Sequence, residues 1–223
     1  MKISQTFQVV NVFVDQEGDF GNPVGIVVDE DQKISASNRQ KMATKIGFSE
    51  AVFINNLAKG SVSIFNPHEE VQFAGHALVG AAWFIRNYLG KPIKNLMCAG
   101  LSISTWQEKD LTWIRALKDK LPPWHLVQLD KNKEIENLSV KDNPYQEHTL
   151  MWSWIDKDKG LIRARTFAPD WGIPEDEANG SGSMKLATML EQPIEILHGL
   201  GSIIYAKPFK NGLVDVGGRV KRV

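Results

Sequence analysis

Four polar side chains are of the types that proton chemistry beside a carbonyl would need: Glu50, His76, Asp176 and Ser181. Glu50 lies between a helix stop, Gly47, and the apolar run 51–54, so it is expected at a strand end, where a side chain can project. His76 follows Gly75 at the head of one apolar helical segment. Ser181 follows Gly180 ahead of a second, with Asp176 just upstream. A helix start leaves N–H groups unpaired and partly positive, and a leading glycine lets a ligand approach the backbone. Two such tips facing each other would make an anion-binding cleft. A carboxylate base, a histidine, a second carboxylate and a hydroxyl suit proton transfer next to a carbonyl or carboxylate. Each position also has a plainer reading. His76 fits a capping ring that is simply satisfied, Asp176 and Ser181 fit loop and N-cap positions, and Glu50 fits an exposed acid. On residue type alone the plainer readings carry more weight.

Other chemistry is poorly served. Cys98 is the single cysteine, so neither an intrachain disulfide nor a catalytic cysteine pair is available. His68, His125, His148 and His198 have no metal-like spacing to one another. The stretch 180–185 lacks the Gly-Lys-Ser/Thr of a phosphate loop. Asp156-Lys157-Asp158-Lys159-Gly160 reads as a hairpin turn, because the twelfth position of a calcium loop would be Phe167. Trp152 and Trp154 share a strand face and are expected in the core or an interface rather than in a ligand box. Arg39, Lys41 and Lys45 read as a solvated helix face. No metal and no cofactor is expected.

The elements that would position the four side chains come from a chain of 223 residues with 26 basic and 26 acidic side chains, a formal net charge of +0. That balance gives no argument for nucleic acid or an anionic membrane as partner. Apolar residues at 43% and charged ones at 23% indicate a globular protein rather than a disordered one. The longest apolar run, 77–85, is too short to span a bilayer, and residues 1–6 lack the apolar core of a leader. A cytoplasmic protein is expected. Strands are expected at 3–14, 24–28, 51–54 and 61–65, and a helix at 35–46 between a Ser35 or Ser37 cap and Gly47. An all-round apolar helix over 77–89 must be buried. More strands follow within 93–116, a Pro122-Pro123 break, a polar stretch over 130–147 with a short helix, a hairpin of 151–155 and 161–167, a helix over 184–190, and closing strands near 203–205 and 213–216. Phe65-Asn66-Pro67 recurs as Phe167-Ala168-Pro169, each followed by acids, a glycine, a polar residue and an apolar helix. This echo predicts two similarly built halves split near 108–122, taken as 1–110 and 111–223.

Gly21-Asn22-Pro23-Val24, Phe48-Ser49-Glu50-Ala51-Val52-Phe53, Ile64-Phe65-Asn66-Pro67, Phe73-Ala74-Gly75-His76 and the run from Phe167-Ala168-Pro169 to Glu175-Asp176-Glu177-Ala178-Asn179-Gly180-Ser181 occur in this order. Together with the closing Val214-Asp215-Val216-Gly217-Gly218-Arg219-Val220, they resemble the PhzF family of phenazine-biosynthesis isomerase-like proteins. The resemblance implies the diaminopimelate epimerase fold. That is an α+β architecture of two pseudo-symmetric halves, each a curved, mostly antiparallel sheet around a central helix, with the site between them. It also implies Glu50 as the acid/base that shuttles the proton and His76 and Asp176 as catalytic residues. Gly75, Gly180 and Ser181 would bind the substrate, a small carboxylate, and the chain would be a homodimer. Related racemases use two cysteines, but Ala74 and Asn179 stand at those positions here, which excludes that chemistry. One shuttling carboxylate suits a proton shift on one face of the substrate. Such a base is expected to have its pKa raised by burial and by Asp176 toward about 6 to 7. Glu177, Asn179 and Ala77 depart from the proline, threonine and proline usual in the family, and the second half is short, which is expected to leave the cleft more open. A member that binds without catalysing is the competing reading.

Overall fold

A computed structural model describes residues 7–223; residues 3–6 of the expected first strand lie outside them. The chain begins with β1 (Gln8–Val14), β2 (Asn22–Val28), α1 (Ala36–Ile46), β3 (Glu50–Asn56), β4 (Ser61–Phe65), β5 (Glu70–Val71), α2 (Gly75–Leu89), β6 (Asn95–Cys98), β7 (Leu101–Glu108) and β8 (Leu111–Leu117). After the Pro122-Pro123 connector come β9 (His125–Gln128), α3 (Asn132–Glu136), β10 (Thr149–Asp156), β11 (Leu161–Ala168), β12 (Ile173–Asp176), α4 (Gly180–Leu190), β13 (Ile194–His198), β14 (Ser202–Pro208) and β15 (Leu213–Arg222). The fold is α+β, as expected. Val, Ile and Phe dominate the inner strands because branched and aromatic side chains pack well on a pleated, half-buried surface.

The short echo expands into matched strand pairing. β2 and β3 run parallel across α1, and β9 and β10 do so across α3. β3–β4 and β10–β11 are antiparallel, while β5 and β12 fold back on β4 and β11. β6 and β13 lie parallel to β4 and β11. Each glycine-led helix is therefore the crossover of its repeat, and its tip emerges from an equivalent turn. β1 pairs with β2 on one side and the end of β15 on the other, so eight strands close around α2. β15 also pairs with both β8 and β14, joining the repeats. A single core cluster holds Leu78 and Ile85 of α2 together with Met184 and Leu186 of α4.

Burial decides where these helices begin. From Gly75 to Ala82, every residue of α2 is buried, and Gly90 ends the helix in a left-handed turn. α4 begins at Gly180 rather than Met184, although Gly-Ser-Gly-Ser is a poor helix former, because residues 180–184 are all buried. The polar stretch over 130–147 carries α3 and a 3₁₀ turn at Val140–Asp142. Trp152 is in the core as expected. Arg39 corrects the expected solvated face: it is buried and pairs with buried Asp29 at 2.8 Å. β9, β12 and β13 are strands that the residue pattern did not predict. No described helix is long and apolar enough to cross a membrane.

Candidate active site

The two helix tips meet backbone to backbone. A Cβ on Gly75 would lie 3.0 Å from Gly180 Cα and from Ser181 N, and one on Gly180 would lie 3.1 Å from Gly75 Cα and His76 N. The glycines are thus needed for the approach of one helix to the other, not merely for the approach of a ligand. Ala74 offers no capping side chain to α2, and neither helix carries an acid in its first turn. The partial positive charges of the two tips therefore add within one small region. Replacing Gly180 by Ala is expected to cost about 1–3 kcal/mol through overpacking against this backbone. A shift in the urea midpoint at constant slope would measure it.

Glu50 is the first residue of β3, set opposite Val24 by the parallel pairing with β2. Its Oε2 lies 2.9 Å from His76 Nε2, but no donor among the described residues is aligned for a hydrogen bond to that buried oxygen. Ser49 Oγ stands 3.3 Å from the same ring nitrogen and donates to Asn22 Oδ1 at 3.3 Å. Asp176 ends β12, opposite Thr166 of β11. Asn22 Nδ2 donates to Asp176 Oδ1 at 2.5 Å, and Asn179 Nδ2 donates to Asp176 Oδ2 at 2.7 Å. Asn22 also reaches the Ala178 carbonyl at 3.2 Å, so the Gly21-Asn22-Pro23 turn of one repeat is tied to the second repeat at its helix tip.

Charge in this cluster runs opposite to expectation. Burial pushes the Glu50 carboxyl upward, but the charge of His76 beside it, together with the polar contacts of His76 and Ser49, outweighs burial and holds it below the usual carboxylate value. Burial disfavours the His76 cation, yet Glu50 and then Asp176 raise it above the ordinary histidine value. Asp176 is raised, first by burial and then by the nearby Glu50, against the pull of His76 and of its Asn179 bond. The expected rise at Glu50 is corrected for one reason: spacing along the chain did not place His76 in contact with it.

Ser181 completes the group. Its Oγ accepts the Trp124 indole N–H at 2.8 Å. Glu50, His76, Asp176 and Ser181 all line one inner pocket, with Gly75 and Gly180 in its wall. About 40 Å³ of room remains there, enough for a few waters or the carboxylate end of an acid. The pocket shares Glu50, Phe73, Pro122, Trp171 and Ile173 with an outer vestibule of about 410 Å³. Among the described residues, no group of three or more His, Cys, Asp or Glu is placed to hold a metal ion.

The family model for phenazine biosynthesis-like proteins (PhzC-PhzF) matches residues 10–97. A Pasteurella multocida protein named as an uncharacterized isomerase is 31% identical over 220 residues, spanning 81% of this chain and 75% of that one. The chain belongs to the PhzF family. The trans-2,3-dihydro-3-hydroxyanthranilate isomerase of Pseudomonas chlororaphis is 26% identical over 225 residues, covering 81% of each chain. A crystal structure of a PhzF-family phenazine biosynthesis protein from Enterococcus faecalis superposes with a TM-score of 0.79 at 16% identity, over 97% of this chain and 95% of that one. The fold is thus the PhzF fold, and relatives named as isomerases support an isomerase role.

Four residues of this PhzF-family site escaped the sequence reading as site residues: Asn22, Trp124, Trp171 and Asn179. Asn22 is visible in the sequence only as a turn residue, and Asn179 only as a departure from the family pattern. Trp124 had one usable signal: a tryptophan directly after Pro-Pro in a connector must find burial somewhere, and here it is buried at the site.

Proposed function

We propose that this chain is an isomerase that moves a proton between carbons of a small carboxylate-bearing substrate held between its two halves. One observation carries the reading. A buried carboxylate oxygen with no aligned donor, Glu50 Oε2, stands against a histidine at a point where two helix tips touch. The tips and Ser181 hold the substrate carboxylate and the negative charge that develops on it as a neighbouring C–H is broken. Glu50 takes that proton and returns it to another carbon on the same face. His76 keeps Glu50 ionised before the reaction, and Asp176, gripped by two asparagine amides, helps hold the charge on His76. An entering carboxylate competes for that positive charge and so raises the basicity of Glu50 when the substrate is in place. The chemistry is assigned to side chains and backbone alone. An unsaturated ring acid such as trans-2,3-dihydro-3-hydroxyanthranilate is the first candidate substrate, its ring lying toward the vestibule.

Incubating the protein with candidate acids in heavy water tests the reading. Deuterium is expected at a C–H position of one acid. Exchange into none of them would support the competing reading, a binding protein without catalysis.

A pH profile follows from the shifts. Glu50 must be ionised, and its lowered pKa places the acid limb of kcat/KM below its ordinary value of 4.5. His76 must be protonated, and its raised pKa places the alkaline limb above 6.5. The expected profile is a plateau spanning both values, read from initial exchange rates. An acid limb with its midpoint above 6.5 would contradict the ion pair.

A further inference from the structure

The connector between the repeats delivers a side chain into the site. Trp124 follows Pro122-Pro123 and precedes β9, and its ring is buried. It packs edge-on against Trp171 at 5.0 Å and against His148 at 5.5 Å, while His148 and Trp171 stack at 4.3 Å. His148 Nδ1 is in turn 2.7 Å from Asp170 Oδ2. The indole cannot swing away without unpacking this group.

An indole N–H only donates, whereas a serine hydroxyl has one hydrogen and two lone pairs. The Trp124 bond therefore makes Ser181 Oγ an acceptor on that side and leaves its hydrogen for another partner. That hydrogen goes to Asn179 Oδ1 at 3.5 Å, a long bond to an oxygen that already takes the Gly182 N–H at 2.6 Å, so it is the weaker claim on that acceptor and the one a better acceptor would replace. We propose that Trp124 is a positioning residue: by occupying a lone pair of Ser181 Oγ it keeps the hydroxyl a donor, which exchanges its long Asn179 bond for an acidic head group in the pocket, so that such a group is selected over an uncharged amide. The inference rests on the carboxylate seat proposed above and adds the device that orients it.

The test is a double-mutant cycle in which Trp124→Phe keeps the ring but removes the N–H. Dissociation constants of benzoate and benzamide are measured for the wild type, Trp124→Phe, Ser181→Ala and the double variant. The wild type is expected to favour benzoate over benzamide by about tenfold or more, the scale of one hydrogen bond to a charged group. Trp124→Phe should reduce that preference about fivefold, but should change it no further when Ser181 is already Ala. Equal losses in both backgrounds, an unchanged acid-to-amide ratio in Trp124→Phe, or a wild type that does not bind benzoate would each overturn the proposal. If Trp124→Phe does not fold, the proton spectrum decides: Ser181→Ala should move the Trp124 indole N–H resonance upfield, and an unmoved resonance overturns the assignment. All readouts are independent of turnover. A Glu50→Gln variant that kept its exchange rate would sink the proton-transfer reading and leave this coupling standing.

Discussion

Glu50→Gln is expected to lower the rate of substrate proton exchange by about 100- to 10,000-fold, the range for removing a general acid/base. The dissociation constant of the same acid should change by no more than about tenfold. The amide has nearly the same shape and fills the same space at the start of β3, so the tips and Ser181 remain in place. It cannot take a proton, and it removes the negative charge that sustains the His76 cation 2.9 Å away. The His76 pKa should therefore fall in the variant, observable by NMR as a titration midpoint at lower pH. A variant with near-normal exchange would take Glu50 out of the mechanism, whatever its effect on binding.

Arg39→Ala is expected to destabilise the fold by about 3–5 kcal/mol, because it strands a buried carboxylate. Asp29 is 4% exposed and accepts three hydrogen bonds, from Lys33 N, Ile34 N and Arg39 Nη2. The first two come from backbone and would survive; the only charge facing it through these bonds would not. The guanidinium also lies 5.1 Å from the Phe53 ring centroid, so packing is lost as well. Urea unfolding monitored by tryptophan fluorescence would measure the loss. A change below about 1 kcal/mol, the size of a surface pair, would show that the pair is not buried in solution.

Arg39 also shows where reading residues in order stops. With Lys41 and Lys45 it looks like one more cation on a helix, and Asp29-Glu30-Asp31 looks like the acidic end of a strand. Only the crossover from β2 through α1 back to β3 brings Arg39 under Asp29. Meanwhile Glu30 caps the Leu57 N–H and Asp31 pairs with Lys33 at the surface. Three adjacent acids thus have three different fates, decided by tertiary position rather than by type. The Glu50–His76 contact is the same kind of fact: both residues were legible as candidates, yet the direction of their pKa shifts depends on a distance that no spacing encodes. What repeats was legible. The Phe65 and Phe167 echo marks equivalent turns because each must deliver a buried, glycine-led helix from a strand end, and a steric demand of that kind leaves its mark in residue type. Short strands such as β9 and β12 leave none, since four residues with one edge exposed need no alternation of apolar and polar positions.

Joined helix tips holding an organic anion within reach of a single shuttling acid form the central claim. A crystal structure of the protein with benzoate tests it most directly. The predicted result places the carboxylate within about 3.2 Å of Ser181 Oγ and of backbone N–H groups at the tips, with a ring carbon about 3–3.5 Å from a Glu50 carboxylate oxygen. Benzoate lodged only in the outer vestibule, with the inner pocket unfilled, would contradict it.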